Sequence, residues 1–218
     1  MLAPDLPGHG RTTIEPVTLE RTIEVVAGLV TANTPPLPLI GYSLGARLAL
    51  LLALDHPELV RSLVLLSGSV GIEDEAARRT RRKADCELAD HIEAVSLDEF
   101  LDGWTRGGLT STAHLSADNR AADRAIRADN TSAGLAAALR ALGQGEFPYL
   151  GGPLGELTMP VLAIAGEDDE KYVATARAIG SGAPQAEVVI VPGAGHNVLS
   201  DAGPDVAAAI YRFLEEQG

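Results

Sequence analysis

Apolar residues in this chain fall into runs of two kinds. Short stretches (Met1 to Leu6, Pro38-Leu39-Ile40, Ser62 to Ser67, Met159 to Ala165 and Glu187 to Val191) have the length of strands, and the Ser62 to Ser67 run reads as a buried one. Between them the apolar positions return every three or four residues. Leu19, Ile23, Val26, Leu29 and Val30 mark an amphipathic helix over Thr18 to Ala32, and similar spacing predicts helices over Arg47 to Asp55 and Pro204 to Glu216. Breakers separate these runs. Pro7-Gly8-His9-Gly10 closes the first strand, Pro35, Pro36 and Pro38 interrupt the chain before the second, and His56-Pro57 stops the helix that follows it. A strand, helix, strand, helix, strand rhythm predicts a parallel sheet with helical crossovers.

From Glu73 to about Phe147 strand-like runs vanish and charged helical sequence takes over. Arg78, Arg79, Arg81, Arg82 and Lys83 open this stretch, and Ala121 to Leu142 is rich in Ala, Arg and Leu. An insert of this kind between sheet strands is most simply a helical lid. We therefore expect one domain, with a core of residues 1–72 and 148–217 plus Gly218, and a lid of about 73–147. At 218 residues and 46% hydrophobic, the chain is large enough to bury such a core.

The formal charge of −13 argues against nucleic acid as a partner, because phosphate binding requires a basic surface. It leaves room for a small anionic substrate held by local arginines. A single cysteine, Cys86, allows no internal disulfide and fits a reducing compartment. The longest apolar run, Leu48 to Leu54, is far short of the roughly 20 residues that cross a bilayer, and no secretory signal is visible. A cytoplasmic protein without membrane insertion is expected. Oligomeric state is not legible.

Chemistry enters with Gly41-Tyr42-Ser43-Leu44-Gly45, a G-x-S-x-G run between an apolar strand and a helix. That context places Ser43 on the sharp strand-to-helix elbow of an α/β-hydrolase fold. A serine hydroxyl reacts only when a histidine takes its proton and a carboxylate orients that histidine. In this fold the chain order is serine, acid, histidine. Gly166-Glu167-Asp168-Asp169 follows the Met159 strand, and Gly193-Ala194-Gly195-His196-Asn197 follows the Glu187 strand. Asp169 is the expected acid, with Asp168 as the alternative, and His196 the expected base. His9, His56, His91 and His114 lack such context, and no His or Cys group has metal-ligand spacing. Neither metal nor cofactor is expected.

Four segments together carry a narrower resemblance: Ala3 to Gly10, Gly41 to Arg47, Gly166 to Tyr172, and Ala194 to Asn197. They resemble the menaquinone-pathway 2-succinyl-6-hydroxy-2,4-cyclohexadiene-1-carboxylate (SHCHC) synthases, over essentially the whole chain. The resemblance implies a lyase that eliminates pyruvate from a cyclohexene bearing enolpyruvyl, succinyl and carboxylate groups, with Ser43 as base. It implies substrate contacts from Arg47, Arg81 and Arg127, since arginine forks bind carboxylates in bidentate fashion. Tyr42 and Trp104 match aromatic positions lining that family's pocket, and the Leu44 amide an oxyanion donor. Some of the Arg78 to Arg82 cluster is expected to be a solvated helix face, with Arg78, Arg81 and Arg82 on one side and Arg79 off it. Trp104 fits lid core as well as pocket wall.

The chain also departs from that family. The first three strands, and the His-Gly loop that supplies a second oxyanion amide, are missing upstream of Ala3. The expected consequences are an unpartnered first segment and a Ser43 strand at an exposed sheet edge. Loss of one oxyanion donor typically costs about 10²- to 10³-fold in rate. An N-terminally incomplete enzyme, from a start codon placed too far downstream, is the simplest explanation. Two other functions remain open: a general serine esterase using the same three residues, and an inactive binding module.

Overall fold

In the computed structural model, which describes residues 2–107 and 110–217, four strands among the described residues form one parallel sheet. They are β1 (Leu37–Tyr42), β2 (Val60–Leu66), β3 (Val161–Gly166) and β4 (Ala186–Val191), paired in that order. Parallel neighbours need a crossover at every step. Helix α1 (Leu19–Ala32) precedes β1, and α2 (Leu44–Asp55) joins β1 to β2. Between β2 and β3 come α3 (Glu75–Ala94), α4 (Leu97–Trp104), α5 (Ala117–Ala128) and α6 (Ser132–Leu142). Helix α7 (Glu170–Gly182) joins β3 to β4, and α8 (Val198–Asp201) and α9 (Gly203–Glu216) follow.

The chain divides into two compact units, Val25–Gly71 with Pro148–Gly218, and Met1–Glu24 with Ile72–Phe147. In the first, the central strands sort their side chains to alternate faces. Leu63 and Leu65 of β2 with Val161 and Ala163 of β3 pack against Ala46, Leu50 and Ala53 of α2 and Ala176 and Ile179 of α7. Val64, Leu66, Leu162 and Ile164 point the other way, onto Val206, Ala209 and Phe213 of α9. Burial on both faces is why β2 and β3 are uninterrupted apolar runs. The outer strands are more mixed: Ile40 of β1 is 46% exposed and Val188 of β4 36%.

The second unit is helical. Each of α3 to α6 begins at a side-chain cap, with Asp74, Ser96, Ser116 and Thr131 accepting from the amides of Ala77, Glu99, Asn119 and Gly134. Ala89, Ile92, Phe100, Leu101 and Ala136 form its core. The buried Asp85 carboxylate accepts from Arg81 Nε (2.7 Å) and from the Gly145 amide (3.3 Å), tying α3 to the chain after α6.

Two expectations need correction. Residues 2–6 form no strand; Met1 lies outside the described residues. A strand is a pairing rather than a local property, and among the described residues β1 pairs with β2 alone, with no ladder to this segment. It turns instead. His9 donates its amide to Leu6 O and Thr12 its amide to His9 O, while Asp5 accepts from the Arg11 amide. The second correction is that α2 begins at Leu44 rather than Arg47, so the chain enters the helix directly from Ser43. The expected edge position of β1 is observed.

Asn130 holds the turned N-terminal segment: its Oδ1 accepts the Gly10 amide (2.9 Å), and its Nδ2 donates to Arg127 O (2.9 Å). Replacing Asn130 with Ala removes both bonds, worth about 1–2 kcal/mol together. The expected result is roughly tenfold faster proteolytic nicking before Thr18, with cleavage elsewhere unchanged, measured by limited proteolysis and mass spectrometry.

Candidate active site

Ser43 stands between the end of β1 and the first residue of α2, with φ 49° and ψ −104°. A positive φ at a non-glycine residue is strained and is held by its surroundings. Here the Ser43 amide donates to Leu66 O (2.9 Å), and the Arg47 amide donates to Ser43 O (3.2 Å). The tight approach of strand and helix falls on Gly41, where a Cβ would lie 2.3 Å from Gly45 O and 2.6 Å from the Ala46 Cα. Gly45 carries no such constraint, since a Cβ there would meet nothing within 4 Å. Only one of the two motif glycines is sterically required.

The acid arrives from the end of β3. Asp169 is the residue before α7, with its carboxylate 5% exposed, whereas Asp168 is exposed and gives only its amide, to Ala194 O (2.9 Å). The histidine loop follows β4 and is fixed at several points. Asp201 Oδ2 accepts the Gly195 amide (2.8 Å), Glu167 Oε2 accepts the Gly193 amide (3.1 Å), and Ser67 Oγ donates to His196 O (2.7 Å). Gly166 lets the two loops touch. A Cβ there would lie 2.2 Å from both Ala194 O and Gly195 O.

The result is a continuous relay. His196 Nδ1 lies 2.8 Å from Asp169 Oδ2, and His196 Nε2 lies 3.1 Å from Ser43 Oγ. With Nδ1–H donating to the carboxylate, Nε2 is the acceptor for the serine proton. The imidazole side chain is 7% exposed, with the Tyr172 ring centroid 4.4 Å and the Tyr42 centroid 5.6 Å away. Ser67 and Asp201 thus stand against this loop without any motif having marked them, while Glu167 and Tyr172 fall within the Gly166 to Tyr172 segment, which assigned them no contact. His9 stands apart in a turn, where burial pushes its pKa down against opposing effects from Pro7 O and Asp5. His56, His91 and His114 are exposed.

The six residues expected to touch substrate divide between the two units. Tyr42, Leu44 and Arg47 belong with the relay: Leu44 opens α2, and Arg47 sits in its first turn, only 8% exposed. Arg81, Trp104 and Arg127 belong to the helical unit. Arg81 is held by Asp85 and by Gln144 Oε1 (2.7 Å), Arg127 by Asp123 Oδ2 (2.6 Å), and Trp104 stacks on Phe100 at 5.5 Å. Arg82 pairs with Glu146 (2.6 Å). Arg78 and Arg79, expected on different faces, both meet Glu75, since spacings of three and four residues converge on one carboxylate.

A family comparison decides the wider placement: the pattern described as "Alpha/beta hydrolase family" matches residues 1–209. The chain belongs to the alpha/beta hydrolase family. It is 31% identical, over 96% of its own length and 80% of the relative's, to the 2-succinyl-6-hydroxy-2,4-cyclohexadiene-1-carboxylate synthase of Enterobacter sp. (strain 638). The protein of the same name from Salmonella agona (strain SL483) is 33% identical over 96% of this chain and 81% of that one. A Bacillus subtilis (strain 168) relative is 40% identical over 73% of this chain, which spans 59% of that relative's length. Among solved structures, MenH from S. aureus superposes with a TM-score of 0.93 at 27% identity, covering 98% of this chain and 82% of that one. A thermophilic esterase from Thermogutta terrifontis superposes with a TM-score of 0.76 at 25% identity, covering 98% and 79%. Among the described residues of this hydrolase-family chain, no helix is long and apolar enough to cross a membrane.

The two motif glycines should separate cleanly on substitution. Gly41→Ala forces strand and helix apart and is expected to cost about 1–3 kcal/mol of stability. Gly45→Ala should stay within about 1 kcal/mol of the parent, because its Cβ enters open space on a helix. Thermal unfolding of both variants by circular dichroism checks the contrast.

Proposed function

We propose that the chain is a carbon–oxygen lyase that eliminates pyruvate from 2-succinyl-5-enolpyruvyl-6-hydroxy-3-cyclohexene-1-carboxylate, forming SHCHC for menaquinone biosynthesis. The observation that carries this reading is the Ser43–His196–Asp169 relay with a buried arginine, Arg47, one turn from the serine. An ester hydrolase needs the relay but not the arginine. The identity to SHCHC synthases over 96% of the chain supports the same choice.

The chemistry follows from the substrate. The ring C2–H is acidified by the neighbouring succinyl ketone, so its removal places charge on the ketone oxygen as an enolate. Ser43 Oγ takes that proton while His196 Nε2 takes the serine proton, and the Asp169 carboxylate stabilises the imidazolium that results. The enolate then collapses through the ring alkene and breaks the C5–O bond. The leaving enolpyruvate receives the proton back from the imidazolium by way of the serine and becomes pyruvate. No acyl-enzyme forms. The Leu44 amide, at the positive end of α2, opposes the charge on the ketone oxygen.

The substrate carries three carboxylates. Arg47, Arg81 and Arg127 are the residues proposed to bind them, with Tyr42 and Trp104 as apolar contacts. Arg81 and Arg127 are already oriented by Asp85, Gln144 and Asp123, which reduces the freedom each loses on binding an anion. A second reading, hydrolysis of small esters, is favoured by the likeness to the Thermogutta terrifontis esterase.

Incubating the protein with the enolpyruvyl substrate should release pyruvate, detected by coupling to lactate dehydrogenase. Ser43→Ala is expected to reduce release by about 10³-fold or more, and Arg47→Gln to raise KM by about 10- to 100-fold. Rapid turnover of an activated aryl ester without pyruvate release would establish the esterase reading instead.

A further inference from the structure

The relay takes its three side chains from the ends of β1, β3 and β4, and β2, lying between β1 and β3, contributes none. Yet the end of β2 touches both reacting partners. Leu66 O accepts the Ser43 amide (2.9 Å), and the next residue, Ser67, donates its hydroxyl to His196 O (2.7 Å). One short stretch of backbone therefore fixes the chain at the serine and the chain at the histidine. We propose that Ser67 is a positioning residue, setting the gap between Ser43 Oγ and His196 Nε2 by anchoring the His196 backbone to the end of β2.

Two features argue that the hydroxyl, rather than the backbone, is what this position requires. Ser67 has φ 45°, a conformation that glycine adopts without strain and serine does not. Backbone geometry alone would place a glycine here. The residue is also 0% exposed, so its hydroxyl must be satisfied within the protein, and the partner it finds is the histidine's own carbonyl. Its amide is bound to Ile164 O (2.8 Å), which fixes the residue to β3 and makes the anchor rigid. Asp201 and Glu167 hold the amides of Gly195 and Gly193, while Ser67 is the hydroxyl that holds the histidine itself. Losing it frees the His196 backbone to shift by a fraction of an ångström, enough to lengthen a 3.1 Å contact out of productive reach.

The inference rests on reading Ser43, His196 and Asp169 as a reactive relay, but not on the identity of the substrate. Its test therefore uses a probe of serine reactivity. Ser43 labelling by an activated fluorophosphonate is followed by intact mass in the parent, Ser67→Ala and Ser67→Gly, well below the lowest melting midpoint of the three. Both variants should label at least about tenfold more slowly than the parent. Ser67→Gly should melt close to the parent, because relief of the positive φ offsets the lost bond. Where pyruvate release is measurable, kcat should fall by a similar factor with KM within about twofold.

Labelling of both variants at the parent rate overturns the proposal, as does slower labelling that merely tracks an unfolded fraction. A folded parent that does not label at all overturns it too, since no reactive relay would exist to be positioned. Slower labelling of the variants, in a parent that labels but releases no pyruvate, supports the role of Ser67 and removes the lyase reading.

Discussion

The pairing of Asp169 with His196 depends on one backbone crossing, where the end of β3 meets the loop that carries His196. The two strands run parallel in register, with Gly166 opposite Val191, so the chains leave the sheet side by side. They stay together because Gly166 presents no side chain to Ala194 O and Gly195 O. The Glu167 and Asp168 amides then donate across the gap to Val191 O and Ala194 O, each at 2.9 Å. These main-chain contacts hold the two loops side by side, so that the Asp169 and His196 side chains can meet, Oδ2 to Nδ1, at 2.8 Å. A carboxylate placed by backbone costs little further entropy to orient, which is what a relay that must hold one tautomer requires.

How far this was legible in the sequence differs from element to element, for physical reasons. β2 and β3 could be read because helices cover both faces, so their apolar runs are unbroken. Asp169 could be chosen over Asp168 because three residues past the glycine turn the side chain inward. The segment at Leu2 to Leu6 misled, since its composition suits a strand but its pairing partner decides whether it becomes one. The helix boundaries of the insert were available in Asp74, Ser96, Ser116 and Thr131, each a capping residue three positions before the amide it accepts. Arg81 to Gln144 and Arg82 to Glu146 were not available, because they join residues more than sixty positions apart. Ser67 was visible only as the end of a strand. Its partner lies 129 residues away, and no local pattern marks a hydroxyl that anchors a distant carbonyl.

The chain is acidic overall, but not at every buried position. Seventeen Lys and Arg stand against thirty Asp and Glu, yet the residue buried in the first turn of the elbow helix is Arg47. A buried guanidinium is expensive, and its cost is justified where it meets an anion. In the helical unit, Arg81 and Arg127 each have a carboxylate four residues away, so much of their charge is balanced locally.

The strain at the site sets a last constraint. Ser43 and Ser67, at the ends of neighbouring strands, both have positive φ, and such residues cost of order 1–3 kcal/mol each. In a sheet flanked on both sides, neighbouring strands share the task of holding an elbow. Among the described residues β1 pairs with β2 alone, from Leu37 to Tyr42. Further support comes from α2, whose Ala46, Ala49, Leu50 and Ala53 are buried against the sheet. Small residues in the first turns let the helix axis lie close to β1, which is the same approach that excludes a Cβ at Gly41. The elbow is therefore held by packing beneath it and by the Leu66 carbonyl beside it, so the geometry of Ser43 depends on the end of β2 as strongly as on its own strand.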